Sequence, residues 1–334
     1  MITIDWVEIP AGEFLMGLSE QQIADIRSRV RAEAGMDQFD DHKRAAAERV
    51  VEKFRLWRER KLHLEYQVGS GWNLPPEENE LARDQDFGRI LELEASLQYE
   101  RPQRVVKLDT FYIARFPVTH QQVNEFIAHY AHQRRLRKGR VWPGYEPPDY
   151  PEEADWGFAD LFCHWVGGRL PTAAEWEKAA RGVDGRLYPW GNKWDPSRGN
   201  FIQSVDAPGR PPNTSDQTWK TPVDAYPAGA SPYEVWDMVG NVAEWTMSIE
   251  KVVNSNNEGP ILKANPVKDS SPPYWYYNMV TYQTAVCHAV PMYIGFRPVR
   301  DAWQCEHWPG FQVEAKAGTS KAKAKEKGAK GVER

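Results

Sequence analysis

Residues 168–182 read GRLPTAAEWEKAARG, and this stretch decides the fold. Thr172 and Glu175 are spaced as a capping box, in which each side chain bonds the other residue's backbone N–H at the start of a helix. A glycine follows the last turn of the same helix as a stop signal. Trp176 and Ala180 are four residues apart and share one helical face. The stretch therefore predicts a short helix whose apolar face packs against a β-sheet.

The segments on either side of this helix predict a mixture of strands and helices. Residues 6–17 alternate apolar and polar side chains around a Pro-Ala-Gly turn, as a β-hairpin does. Residues 104–113 again have strand character, and a second capping box at Thr119 and Gln122 begins another helix. A further helix is predicted over 155–166. The fold class is therefore α+β, with many turns between short elements.

Residues 19–99 differ from the rest in composition and predict a helical insertion. Three blocks, 20–35, 41–65 and 76–99, are rich in Glu, Arg, Ala and Leu. The second block carries an apolar stripe at helical spacing, and such a stripe must meet a partner surface. Its members are Val50, Val51, Phe54 and Trp57.

Composition excludes several classes of protein. The 334 residues are 41% hydrophobic and 27% charged, as in ordinary globular chains, and the net charge of −5 gives no global attraction to nucleic acid. There is no run of 18 apolar residues and no signal sequence, so we expect a cytoplasmic protein with no membrane contact. Three cysteines are too few for a disulfide framework. Residues 314–334 predict a disordered basic tail, which allows nucleic acid only a weak contact.

Seven short motifs occur in the order in which one protein family carries them. They are IPAGEFLMG (9–17), FPVT (116–119), GRLPTAAEWEKAARG (168–182), YPWGN (188–192), TPV (221–223), DMVGNVAEW (237–245) and GFR (295–297). With them the chain resembles the formylglycine-generating, sulfatase-modifying-factor family, which implies an irregular, turn-rich C-type-lectin-like fold. The resemblance predicts a formylglycine-generating-enzyme-like domain over 1–18 and 100–313, interrupted by the insertion.

The catalytic motif of that family is missing at its expected place. Active members resemble one another in an Arg-Gly-Gly-Ser-x-x-Cys-x4-Cys segment upstream of Gly-Phe-Arg, whose two thiolates bind copper. Counting back from Gly295 by the family's interval places the first four residues on 263–266, which read KANP. The two cysteine positions fall on Asp269 and Tyr274, and neither side chain is a soft copper ligand. We therefore expect no catalytic residue of this kind and no redox cofactor.

Other cysteines and histidines do not replace the missing motif. Cys287 and His288 echo a Cys-His pair of the family but stand too close to Gly295, so Cys287 is interpreted as an ordinary half-buried thiol. A related redox branch binds iron through three histidines of a helical bundle, and the insertion lacks histidines at metal-binding spacing. The remaining candidates are interpreted as solvated or packing histidines, His42 and His63, and as a core pair, Cys163 and His164.

The resemblance also implies structural calcium, an ion that prefers hard oxygen ligands. In the first site, two side-chain oxygens and two backbone carbonyls converge on one turn. Its residues are Asp237, Gly240, Val242 and Glu244. The second site joins Asn200 and the Phe201 carbonyl to Asp216 and the Thr218 carbonyl. The alternative is that the two acidic residues of the first turn cap it without a metal.

Residues 263–294 occupy the active-site region of the family without its signature, and they are rich in Tyr, Trp and Asn. Such side chains give large contact areas and adaptable hydrogen bonds, as on antibody paratopes. Variable proteins of diversity-generating retroelements are similar, since they place changing residues just before Gly-Phe-Arg. The alternative is that the rings fill a core. The predicted ligand-binding residues are Asp269, Tyr274, Trp275, Tyr276, Tyr277, Asn278, Tyr282 and Tyr293.

Three functional hypotheses follow from these observations. The leading one is a catalytically inactive member of the family that binds a protein or peptide partner, or a small-molecule ligand, through residues 263–294. The second is a metal-dependent oxidoreductase with a non-standard site, built from Cys287 and His288 with a histidine of the insertion. The third is a structural subunit of a larger assembly whose basic tail touches a polyanion.

Overall fold

The computed structural model confirms an α+β fold. The described residues are 2–33, 35–58, 66–67, 71–84, 87, 90–91, 103–133, 147–201, 220–251, 258–264, 283–284 and 294–303. The helices are α1 (Glu20–Glu33), α2 (Asp41–Arg58), α3 (Pro76–Arg83), α4 (His120–Gln133), α5 (Trp156–Trp165) and α6 (Ala173–Arg181). The strands are β1 (Trp6–Ile9), β2 (Gly12–Met16), β3 (Tyr66–Gln67), β4 (Gly71–Trp72), β5 (Arg104–Leu108), β6 (Phe111–Ala114), β7 (Ala243–Lys251), β8 (Glu258–Lys263), β9 (Gln283–Thr284), β10 (Ile294–Gly295) and β11 (Val299–Asp301). Within this described part, no helix has the length and apolar content needed to span a bilayer.

A long antiparallel ladder replaces the predicted hairpin at the N-terminus. Strands β1 and β2 pair with β6 and β5 and not with each other, so the hairpin prediction was wrong. Ile9 pairs with Phe111 and Gly12 pairs with Leu108, so one register continues across the break at Pro10. The chain therefore does not reverse at the Pro-Ala-Gly sequence, because residues 103–114 offer both strands a partner that local patterning cannot reveal.

The frame contains two larger sheets, and the first of them includes the β1–β6 pair. Strand β6 lies between β1 and β11, and a bridge from Arg169 to Val299 joins the start of the GRLPT segment to this sheet. The second sheet has the order β10, β7, β8, β9, with β10 parallel to β7 and the other neighbours antiparallel. The pairing of β7 with β8 shifts between Trp245 and Ile249. The two ends of the segment 265–293 thus emerge from neighbouring parts of one sheet.

The predicted capping boxes are present at both helices. At α6, the Thr172 side chain accepts the Glu175 N–H and the Glu175 carboxylate accepts the Thr172 N–H. At α4, the same exchange joins Thr119 and Gln122. Each such cap contributes about 1 kcal/mol. Because capping depends only on residues three apart, these two helix starts were readable from the sequence.

Two apolar cores pack the helices against the sheets. Trp176 and Ala180 of α6 lie in a core with Ile9, Phe111 and Val299 of the first sheet, as the four-residue spacing predicts. The second core joins α4 and α5 to strand β7 and the Gly-Phe-Arg motif. It includes edge-to-face rings of Phe126, Phe162 and Phe296 with Trp245 fully buried nearby.

The predicted insertion is helical and has its own core. Helices α1 to α3 pack together through buried residues that include the predicted stripe members Val50, Val51 and Phe54. The same core includes Leu187 and Tyr188. The chain at the start of the YPWGN segment therefore packs directly against the insertion. The side chain of Trp57 and the tail 314–334 lie outside the described residues, and the proposed domain boundaries remain predictions.

Replacing Gly168 tests the junction between the first sheet and the GRLPT segment. A Cβ at this position would lie closer to the Val299 carbonyl oxygen than two non-bonded atoms can approach. The same oxygen accepts the Arg169 N–H. We expect Gly168→Ala to lower the free energy of unfolding by about 1–3 kcal/mol. The matched control is Gly157→Ala, whose new Cβ has its nearest neighbour 3.5 Å away. Equal effects of the two substitutions in denaturant titrations would contradict this account.

Candidate functional site

The predicted recognition segment, residues 263–294, is described only at its two ends and at Gln283–Thr284, which form β9. All eight predicted ligand-binding side chains lie outside the described residues; they are Asp269, Tyr274, Trp275, Tyr276, Tyr277, Asn278, Tyr282 and Tyr293. The flank before the segment ends with Lys263 and Ala264, and the flank after it begins with Ile294. The site is therefore built here from the residues that fix these flanks.

A buried charge cluster holds the first flank. Lys263 Nζ lies 3.0 Å from one Glu177 oxygen, and Arg181 Nη1 lies 2.6 Å from the other. The Gly17 N–H also donates to Glu177, at 2.7 Å. Burial acts to raise the pKa of Glu177, but the charges of Lys263 and Arg181 outweigh it and hold the pKa below its ordinary value. The cluster joins the recognition flank, helix α6 and the frame segment just before the insertion.

The residue after Lys263 has a backbone conformation that favours glycine. Ala264 has φ of 60° and is fully buried. An L-residue in this left-handed region costs roughly 1–2 kcal/mol relative to its usual conformations. The position is the one where counting back from Gly-Phe-Arg expects the first glycine of the family's Arg-Gly-Gly-Ser turn. Ala264 thus has the left-handed backbone conformation that a glycine would adopt without strain, although the residue here is alanine.

A second buried ion pair holds the other flank. Arg297 and Glu244 form two parallel hydrogen bonds of 2.6 Å each, and both side chains are fully buried. Trp176 Nε1 donates to the same carboxylate at 2.8 Å. Because Trp176 and Glu177 are consecutive in α6, one turn of this helix supplies the buried carboxylate of the first flank and donates a hydrogen bond to that of the second.

The turn before β7 carries the first predicted calcium site. Asp237 and Asn241 have φ of 55° and 59°, and Asn241 Nδ2 donates to Asp237 Oδ2 at 2.9 Å. Burial raises the pKa of Asp237 to about 7, and the nearby Glu244 and Asp224 carboxylates act in the same direction. Gly240 must be glycine, since its φ is 85° and a Cβ would press on the Asn200 carbonyl oxygen. Val242 is fully buried behind this turn.

The second predicted calcium site is described only in part. Asn200 Nδ2 donates to Asn241 Oδ1, and Phe201 is buried beside it, whereas Asp216 and Thr218 lie outside the described residues. Across the part of the chain that the structure describes, no three His, Cys, Asp or Glu side chains are grouped to hold a metal. Both calcium sites stay predictions at this point.

The thiols and histidines give a mixed outcome. Cys163 is buried as predicted, and burial raises its pKa well above the ordinary thiol value. His164 does not share that core, because it faces solvent at the end of α5 and its Nδ1 lies 2.8 Å from the Asp160 carbonyl. His42 is solvated as predicted, 3.0 Å from Glu77. The remaining candidates, His63, Cys287 and His288, lie outside the described residues.

Sequence reasoning missed the charged residues that build these flanks. Glu177 and Arg181 were assigned only to a helix, although their four-residue spacing is a recognised ion-pair signal. It also missed His120, whose Nδ1 lies 2.6 Å from the Glu152 carboxylate at the start of α4. No local signal predicts that second pair, because its members come from separate segments.

Comparison with known proteins supports the family resemblance found in the sequence. A family model described as the sulfatase-modifying factor enzyme 1-like domain matches residues 81–302. The inactive C-alpha-formylglycine-generating enzyme 2 of Bos taurus is 45% identical over 96 residues, which are 28% of this chain and 31% of that protein. The formylglycine-generating enzyme of Mus musculus is 35% identical over 148 residues, 39% of each chain. This chain therefore spans only about a third of the length of these curated relatives.

A solved structure shares the fold. The crystal structure of CarF superimposes with a TM-score of 0.50 at 17% identity, covering 90% of this chain and 99% of that chain. At this identity the similarity shows the fold alone.

Removing the carboxylate of the first flank tests the charge cluster. Glu177→Gln leaves Arg181 and Lys263 buried without their shared anion, so we expect a loss of about 3–5 kcal/mol in the free energy of unfolding at pH 7. The exposed Glu13→Gln is the matched control and should change stability by less than about 0.5 kcal/mol.

The same variant has a defined pH dependence. The folded-state pKa of Glu177 is lowered, so its contribution is complete above the ordinary carboxyl pKa and is lost as pH falls through the folded value. The stability gap between wild type and Glu177→Gln should therefore narrow below about pH 4.5. A gap that stays constant down to the acid unfolding limit would contradict the assignment.

Proposed function

The chain belongs to the sulfatase-modifying factor enzyme 1-like family, and we propose that it is a catalytically inactive member that binds a protein or peptide partner through residues 263–294. The observation that carries the proposal is the exchange at the two thiolate positions. Asp269 and Tyr274 stand where active members resemble one another in copper-binding cysteines. Copper(I) selects soft thiolate ligands, and a carboxylate with a phenol does not supply them.

The geometry of the first flank supports this proposal. Ala264 retains a left-handed backbone at the expected glycine position, and Lys263 stands in place of the arginine. Lys263 is engaged by Glu177 inside the protein, so its charge stabilises the frame and is directed away from solvent. A glycine-like backbone at Ala264 beside a changed side chain at Lys263 fits a scaffold that is kept for a new role.

Similarity to a relative that is named as inactive gives further support. The protein of Bos taurus is called an inactive formylglycine-generating enzyme, and it is 45% identical over its matched region. Loss of the activity is therefore compatible with a sequence this similar. The match covers 31% of that protein, so its partners and role are not carried over to this chain.

The composition of residues 274–278 supports binding. The sequence YWYYN combines four large rings with an amide, and rings of this kind lose little conformational entropy when they form an interface. A protein or peptide is the partner that such a set fits, with a small molecule as the alternative ligand. The helical insertion would serve as a brace or as a second docking surface.

An activity assay tests the absence of catalysis. We expect the purified chain to form no formylglycine on a Cys-x-Pro-x-Arg peptide supplied with copper and oxygen, because Asp269 and Tyr274 cannot hold the copper. Mass spectrometry of the peptide detects the product, and the formylglycine-generating enzyme of Mus musculus is the positive control. Turnover by this chain would overturn the proposal. Stoichiometric copper or iron that is lost on Cys287→Ala would instead favour the oxidoreductase hypothesis.

A selection experiment tests the recognition face. Peptides selected from a random library on the wild-type chain should bind the Tyr274→Ala and Trp275→Ala variants about 30-fold or more weakly, since buried aromatic residues dominate interface energies. The matched control is Trp303→Ala, which removes an exposed ring outside the face and should leave affinity within about twofold. Peptides that respond only to Trp303→Ala would place binding elsewhere and contradict the proposal.

A further inference from the structure

One edge of the N-terminal ladder has no strand beside it in the part of the chain that the structure describes. Strand β6 pairs with β1 on one side and with β11 on the other, whereas β5 pairs only with β2. Strand β11 ends at Asp301, which is opposite Phe111. We call the side of β5 that faces away from β2 the open edge. Strand edges of this kind are templates for the addition of a further strand.

The register shows which backbone groups face the open edge. Opposite residues of an antiparallel pair alternate between bonding each other and pointing their N–H and C=O groups away. The Arg115 N–H donates to the Asp5 carbonyl, which fixes the phase, and one register continues through β2 and β5. This phase predicts that Gly12 points its carbonyl away from β5, and Lys178 Nζ donates to that carbonyl at 3.1 Å. The outward-pointing residues of β5 are Arg104, Val106 and Leu108.

The two edges of the β2–β5 ribbon differ. At the β2 edge, Lys178 Nζ also donates to the Pro10 carbonyl at 2.6 Å, so a side chain of α6 satisfies carbonyls there. At the open edge of β5, no hydrogen bond from a described residue reaches the outward N–H and C=O groups. The neighbouring Val105 side chain is 62% exposed. The open edge therefore presents backbone donors and acceptors at the spacing that an added antiparallel strand uses.

Charged side chains along the open edge define the strand that fits it. Arg104 and Lys107 are exposed, and Asp109, just after β5, is exposed as well. Neither cation forms an ion pair within the described residues, although Glu13 is opposite Lys107 on β2. Opposite charges on neighbouring strands attract when they are directly across from each other, and like charges repel. An added strand is therefore favoured when it places acidic residues opposite Arg104 and Lys107 and a basic residue opposite Asp109.

A second copy of this chain fits the open edge poorly. If two β5 strands paired about Val106, Lys107 of each copy would be opposite Val105 of the other. The two lysines would then be diagonal neighbours on one face, about 7–8 Å apart, with no acidic residue between them. Lysine on an edge strand is one of the means by which proteins prevent edge-to-edge pairing. The charges of the edge thus disfavour self-association and favour an acidic partner.

We propose that the open edge of β5 is a further binding surface, separate from residues 263–294, which takes an extended acidic segment of a partner protein as an added antiparallel strand. Backbone hydrogen bonds to Arg104, Val106 and Leu108 hold the segment. Its acidic side chains, opposite Arg104 and Lys107, give specificity, and an apolar side chain covers the exposed Val105. This surface does not depend on the role proposed for residues 263–294.

A designed peptide tests the proposal on the full chain. The probe is Lys-Val-Glu-Val-Ile-Glu, amidated at its C-terminus and labelled with fluorescein. Antiparallel to β5, it sets its lysine opposite Asp109 and its glutamates opposite Lys107 and Arg104. Fluorescence anisotropy should show saturable binding, and the charge-reversed peptide Glu-Val-Lys-Val-Ile-Lys should bind at least about tenfold more weakly. Absence of saturable binding of the probe at millimolar concentration, or equal binding of the two peptides, would overturn the proposal.

A proline on the open edge tests whether backbone groups carry the binding. Val106→Pro removes an outward N–H that the ladder with β2 does not use, and proline is tolerated at such edge positions. We expect it to weaken binding of the probe at least about tenfold. The matched control is Val106→Ala, which keeps the N–H, loses part of the side chain and should bind within about threefold. A folded Val106→Pro variant that binds as wild type does would contradict strand addition at this edge.

A charge exchange keeps the test decisive if Val106→Pro does not fold. Lys107→Glu should prefer a probe with lysine in place of the first glutamate by about tenfold, and an unchanged preference counts against the proposal. Tyr274→Ala should bind the probe as wild type does, whereas loss of binding in this variant would assign the probe to residues 263–294 and overturn the proposal. A wild-type dimer in sedimentation analysis that Val106→Pro dissociates would assign the edge to a second copy and also overturn it.

Discussion

Two buried carboxylates hold the two flanks of the proposed recognition segment. Glu177 compensates Lys263 before the segment, and Glu244 compensates Arg297 after it. Both contacts depend on helix α6, because Glu177 belongs to it and its neighbour Trp176 donates to Glu244. Ions inside a protein are tolerated only when they are paired and hydrogen-bonded, so each flank has a single favourable placement. The two ion pairs therefore fix the described residues on either side of residues 265–293.

This arrangement separates the scaffold from its chemistry. In the part of the chain that the structure describes, the frame is held by capped helices, aromatic cores and internal ion pairs. A binding role needs only a rigid base and a set of side chains with large contact areas. The family frame supplies the base whatever the segment recognises.

Local sequence signals predicted the local features of this protein and failed where distant segments meet. The caps at Thr119 and Thr172 were correct because capping acts over three residues. The hairpin at residues 6–17 was wrong because its strands find partners about a hundred residues later. The pairing of Lys263 with Glu177 was missed for the same reason, since it forms only when β8 meets α6. The aromatic residues of the proposed face remain predictions.

The ladder has a consequence for how this chain can acquire modules. Met16 pairs with Arg104, so the chain leaves the frame and rejoins it across one strand spacing. Closing a loop costs only about 0.6 kcal/mol for each doubling of its length, so a graft of many residues is thermodynamically cheap here. A different module could be exchanged at this turn without altering a ladder bond, provided that it covers Leu187 and Tyr188. The position between β2 and β5 is therefore a suitable insertion point for another module, in evolution and in protein engineering.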